Sequence, residues 1–191
     1  MNLPRPQKKA WPILADPLFW VWVVLFLLYL GLVIIRPRGV FWSLDEGGKL
    51  LYIQNVLKTG SPAAPLIYPG EQLDPKFAFV PLFFFQQSGS HIYAWWPVGF
   101  PLLTLPLYRL FGWLGLYLLP AAAGATIASL TGGMVRTVMQ TRHGRLPVAA
   151  ALIVGLATPI LFYSAMFWEH SLSVLCMLWA LWALLIGDKT A

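Results

Sequence analysis

From Leu18 to Ile35 the chain carries no charged residue. Together with Pro17, that run has about the length a helix needs to cross roughly 30 Å of hydrocarbon. Asp16-Pro17 just ahead of it reads as an N-cap followed by proline at the first helical position. Arg5, Lys8 and Lys9 precede the run, and Arg36-Pro37-Arg38 follows it. With no small-x-small cleavage site after it, the run reads as a retained anchor rather than a signal peptide, with the N-terminus inside. The rest of the chain agrees. Only 10% of its residues are charged and 59% are hydrophobic, against roughly 25% charged in a soluble domain. Polar groups cannot cover a globular surface here, so lipid is the expected solvent. The net charge of +6 sits in short clusters beside apolar runs. It therefore reads as an orientation signal rather than a nucleic-acid footprint. The lone Cys176 allows no internal disulfide.

The expected fold is an all-α polytopic membrane domain, 1–191, with about four spans: 18–35, 114–135, 148–167 and 171–186. Residues 36–113 form a long extracytoplasmic first loop. Such loops are usually functional. Within it, 45–58 reads as an interfacial helix, with Leu50, Ile53 and Leu57 on one face and Lys49 and Gln54 elsewhere. Thr59-Gly60-Ser61-Pro62 ends that helix. Segment 93–112 contains Pro97, Pro101, Pro106 and Arg109 and opens on Trp95-Trp96. Repeated proline breaks the hydrogen-bond ladder that lipid demands, so the segment reads as bent, interfacial or re-entrant. In the second span Ala121, Ala125, Ser129 and Gly133 recur every four residues, a spacing that admits a close helix neighbour. Arg136, Arg142, His143 and Arg145 mark a cytoplasmic loop. The first span then leads out, the second in and the third out. Glu169-His170, between the last two spans, therefore faces the same side as Asp45-Glu46.

That placement matters because the chain has only seven Asp and Glu. Ser43-Leu44-Asp45-Glu46 matches a capping box, with Glu46 reaching back to the Ser43 amide and Asp45 favouring the positive helix end. A carboxylate fixed at a helix start beside a membrane is equally well placed to act as a base, and the two roles are compatible. Glu169-His170 reads either as an interfacial polar pair or as a functional site. Lys49, Arg109, Arg36, Arg38 and Lys76 could each bind a phosphate or a lipid headgroup. Trp95, Trp96, Trp113 and Trp168 read as interfacial anchors, and Leu73-Asp74-Pro75 as a turn. One histidine among scattered carboxylates is no metal-ligand motif, so no cofactor is indicated and a divalent metal is left open.

The order of these features resembles the N-terminal part of the C-type-fold membrane glycosyltransferases, in the branch of the protein O-mannosyltransferases and aminoarabinose transferases. The likeness runs from about Leu18 to Ile186. It rests on the acidic pair opening a loop helix, on Trp95-Trp96-Pro97-Val98-Gly99-Phe100-Pro101 through Leu110-Phe111-Gly112, on the small-residue helix ending in Arg, and on Tyr163-Ser164 before an acidic residue. The resemblance implies sugar transfer from a polyprenyl-phosphate carrier to a lipid, glycan or protein acceptor at the outer face of a bacterial cytoplasmic membrane. It assigns Asp45 as base or acceptor-orienting group with Glu46 beside it, and Glu169 as the second acidic residue. Lys49, Arg109 and His170 are the candidate substrate or phosphate ligands. Enzymes of this type have many more spans. The chain is therefore expected to be part of a larger domain, to need a C-terminal half or partner subunit, and to be inactive alone. A small non-catalytic membrane subunit is the alternative.

Overall fold

The computed structural model describes residues 13–80, 84–140 and 145–187. Arg5, Lys8, Lys9, Arg142 and His143, on which part of the orientation reading leans, lie outside these. The fold is mostly helical: α1 Pro17–Ile34, α2 Leu44–Thr59, a hairpin of β1 Phe85–Ser88 and β2 His91–Ala94, α3 Gly99–Phe111, α4 Gly115–Val138, α5 Arg145–Leu156, α6 Pro159–Ser164 and α7 His170–Gly187. The hairpin corrects the all-α expectation. Its strands pair from Phe85↔Ala94 to Ser88↔His91, around a turn in which Gly89 takes φ 59°, a conformation that favours glycine.

Among the described residues two stretches are long and apolar enough to cross a membrane, Pro17–Ile34 and Gly99–Val138. α1 begins as its sequence predicts, with Asp16 accepting from the Leu18 amide at 2.9 Å ahead of Pro17. α4 lies antiparallel to it. Arg136 clasps Asp16 through two 2.7 Å bonds, Ser129 Oγ donates to the Leu18 carbonyl, and Trp22 Nε1 donates to Thr126 Oγ1. At the far end the Arg36 guanidinium lies 4.9 Å over the Tyr117 ring. The close-packed face of α4 is Ala121, Gly124, Ala125, Ala128 and Gly132 rather than a row ending at Gly133. A Cβ on Gly132 would meet Leu18 and the Pro147 carbonyl at 2.7 Å, whereas one on Gly133 would meet nothing within 4 Å.

The expected third span, 148–167, is interrupted. α5 ends at Leu156, and α6 restarts at Pro159 with Thr158 as its cap, its hydroxyl accepting from the Ile160 amide at 3.2 Å. Proline lacks an N–H and disfavours helical geometry in the residue before it. The twelve residues of α5 reach only about 18 Å, short of a bilayer core. α5 returns beside α1, so that Tyr29 Oη donates to the Gly155 carbonyl at 2.9 Å. α6 then presses Ser164 against Gly124.

In segment 93–112, Tyr93 and Ala94 belong to β2, and α3 begins at Gly99. α3 ends at Gly112, whose φ of 59° turns the chain. A Cβ on Gly115 would sit 2.1 Å from the Leu107 carbonyl oxygen, so α3 and the start of α4 touch backbone to backbone.

α2 is not a helix with one free polar face. Glu46, Lys49, Tyr52, Ile53 and Asn55 are all buried, while Leu57 is exposed. On one side α2 meets the bundle through Ile53. On the other, Tyr52 joins Leu66, Phe77, Val80, Phe85 and Ile92 in a second small core. Asn55 stitches the following loop, donating to the Ala64 and Pro65 carbonyls and accepting from the Ile67 amide. Asp74 does the same further on, its carboxylate accepting from the Ala78 and Phe79 amides at 2.7 and 2.8 Å.

Candidate functional site

The two acidic sites meet. Lys49 Nζ donates to Asp45 Oδ2 at 2.7 Å, one helical turn away, and also to Glu169 Oε2, just ahead of α7. The lysine is buried, with 1% of its side chain exposed, while Asp45 and Glu169 keep 19% and 35%. Burial of an ammonium is tolerated where carboxylates surround it. Here two carboxylates share one cation, leaving the cluster one negative charge in excess. Phe100 underlies it, with Lys49 Nζ 5.7 Å from the ring centroid, and Phe100 in turn packs on Phe167 at 5.2 Å.

Glu46 stands differently from the expectation of a catalytic group. It is fully buried, and both oxygens are taken by backbone amides, Oε2 by Trp42 and Oε1 by Phe167, each at 2.8 Å. Ser43 Oγ does accept from the Glu46 amide, but the reciprocal bond goes to Trp42 rather than Ser43. Glu46 is therefore a staple between the entry to α2 and the segment leading into α7. Lys49 is likewise not free to bind a phosphate, because its ammonium is enclosed by the two carboxylates. Arg109 is exposed in the last turn of α3, with no ion pair among the described residues. Among the described residues no hydrogen bond or ion pair joins it to the Asp45 cluster.

Glu169 and His170 line a cavity of about 540 Å³ between α6 and the start of α7, with Thr158, Ile160, Tyr163 and Ser173. His170 is exposed and stacks on Tyr163 (centroids 4.7 Å, planes 11° apart) and against Trp168 (4.9 Å, 31°). On the other face of α6 lies a second cavity of about 360 Å³, with walls that include Leu32, Ile35, Trp42, Leu161 and Phe162. Arg36 borders it and donates to the Ala165 carbonyl at 2.9 Å. Sequence reasoning singled out neither the ring stack nor this apolar cavity. The run Tyr163 to His170, with four ring-bearing residues around one acid, was the available signal.

Among the described residues no group of three or more His, Cys, Asp or Glu could hold a metal ion. Outside the apolar stretches, burial raises the Tyr52 phenol above its usual range; its hydroxyl donates to the Pro62 carbonyl at 3.0 Å. The fold and site thus define a mostly helical chain with two apolar stretches of membrane-crossing length and an ion-paired carboxylate site at one end. Compared with protein-family models, curated proteins and solved structures, the chain matches none.

Proposed function

We propose that this chain is a glycosyltransferase, or the N-terminal part of one, moving a sugar from a polyprenyl-phosphate carrier to a lipid, glycan or protein acceptor. The observation that carries the reading is the Asp45–Lys49–Glu169 bridge. It joins two carboxylates 124 positions apart in sequence, at the end of the bundle where two cavities flank α6, one of them lined in part by Glu169 and His170. In this reading α1, α4, the broken α5–α6 pair and α7 are the four spans in a bacterial cytoplasmic membrane. The N-terminus is cytoplasmic and the carboxylates face outward.

Asp45 is the base. Lys49 holds its Oδ2, and Oδ1 has no hydrogen-bond partner among the described residues. Oδ1 takes the acceptor hydroxyl proton as the acceptor oxygen bonds to the anomeric carbon. The bond from that carbon to the phosphate oxygen breaks, and the polyprenyl phosphate leaves with its electron pair. The ammonium orients Asp45, and general-base catalysis of this kind contributes about 10²–10⁴-fold. The apolar cavity suits the first prenyl units of the carrier, with Arg36 as the cation for its phosphate.

The test is sugar transfer in membranes carrying the wild-type or Asp45→Asn chain, with a panel of polyprenyl-phosphate hexoses. A loss of about 10²-fold or more at normal expression is expected; retained transfer by Asp45→Asn would sink the base assignment. Cysteine labelling at positions 45 and 169, with Cys176 replaced, is expected to mark both from the same side. One observation favours the non-catalytic subunit instead: Glu46 and Lys49 are wholly engaged in holding α2 to the approach to α7. On that reading Asp45→Asn lowers stability and no transfer depends on it.

A further inference from the structure

The stacked rings beside Glu169 are not needed for general-base chemistry, and packing alone leaves them half explained. His170 covers Tyr163 and Trp168 with one face, yet it is exposed and forms part of the cavity wall. Neither of its ring nitrogens has a hydrogen-bond partner among the described residues. Glu169 adds a polar rim: Oε2 is held by Lys49, while Oε1 has no described partner, and a third of the side chain is exposed. Ser173 Oγ donates to the Glu169 carbonyl at 3.2 Å and can still accept. A flat ring surface next to a few fixed polar atoms suits a molecule with an apolar face and a hydroxylated edge. A pyranose has that form, with C–H bonds on its faces and hydroxyls around its rim. The cavity, about 540 Å³, lies within the usual range of small-molecule sites, roughly 300–1,000 Å³.

Charge narrows the ligand further. Among the described residues the cavity wall holds a carboxylate and no lysine or arginine. The one ammonium behind it is buried and shared between two acids. An anionic sugar would meet net negative charge there, whereas an amino group would meet both the carboxylate and the negative faces of the rings. We propose that this cavity is a pyranose-binding site. The His170 and Tyr163 rings, backed by Trp168, are its platform and Glu169 its hydroxyl acceptor, and it takes neutral or amino-substituted rings and rejects anionic ones. The proposal deepens the glycosyl-transfer reading and rests on it, but its test is binding rather than turnover.

The experiment is saturation-transfer NMR on the full chain in lipid nanodiscs, with methyl glucoside, methyl glucosaminide and methyl glucuronide as probes. The first two are expected to bind and the glucuronide not. His170→Ala is expected to weaken binding about fivefold, the scale of one ring contact. His170→Phe, which keeps a ring face, is expected to retain it. Glu169→Gln is expected to admit the glucuronide. Equal binding of glucuronide and glucoside to the wild type, or equal weakening by His170→Ala and His170→Phe, overturns the proposal. Loss of glycoside binding with Asp45-dependent transfer intact removes this site and leaves the enzyme reading standing. Glycoside binding without transfer does the reverse.

Discussion

The two ends of the helical bundle are each tied by an ion pair spanning 120 residues, and the ties differ in kind. Arg136 and Asp16 match charge for charge and fork for fork, with 29% and 36% of their side chains exposed. At the other end Lys49 is buried and meets two carboxylates. A bidentate pair of this kind closes a structure with its charges matched one to one. An odd carboxylate next to a buried cation leaves a charge and an unpartnered oxygen for something else to use. The contrast separates a clasp from a site more clearly than the presence of an ion pair does, because both ends join a basic side chain to a carboxylate.

The largest test of that contrast removes both acids. The double change Asp45→Asn, Glu169→Gln leaves Lys49 buried without a counter-charge. It is expected to destabilise by about 3–5 kcal/mol, read by equilibrium denaturation in detergent micelles. A loss no greater than at the clasp would make the two ends equivalent. Glu46→Gln comes next. A neutral amide presents only one acceptor to two buried amides, so about 2–3 kcal/mol is expected. Gly124→Ala would drive a methyl to within 1.7 Å of Ser164 Oγ, with an expected cost of about 1–3 kcal/mol. Its cost should leave glycoside binding unaltered if Ser164 serves packing alone. Arg136→Ala is smaller, at about 1 kcal/mol or less, and should shrink as salt is added. The smallest effect concerns pH. Burial raises the Tyr52 phenol, so the neutral form is favoured in the fold. Its contribution is complete below the unfolded pKa of about 10 and is lost as pH rises through the higher folded value. Tyr52→Phe should flatten that alkaline decline.

Local signals in the sequence located much of the frame. Asp16-Pro17 starts α1, Ser43 and Gly60 bound α2, and α7 spans 170–187 where 171–186 was expected. The break at Thr158-Pro159 was also written locally but was outweighed by the apolar run around it. Short strands with a Gly-Ser turn gave too weak a pattern to announce the hairpin. What could not be read was set by distant partners. Lys49 looks like a solvated residue of α2 until Glu169 is brought to it, and Glu46 looks catalytic until the Phe167 amide takes its second oxygen. The expectation that Asp45 and Glu169 share an end followed from counting crossings. The lysine between them did not, because spacing along a helix says nothing about what packs on it.

The bridge also orders events during synthesis. Asp45 and Lys49 are four residues apart and can pair as soon as α2 forms. The clasp must wait for Arg136, and the second carboxylate of Lys49 arrives only with residue 169. Closing so long a loop carries an entropic cost that local pairing does not. As the ribosome advances, the end bearing the candidate site is therefore the later of the two to be completed. A chain arrested before Glu169 would hold Lys49 in a simple one-to-one pair, without the surplus charge.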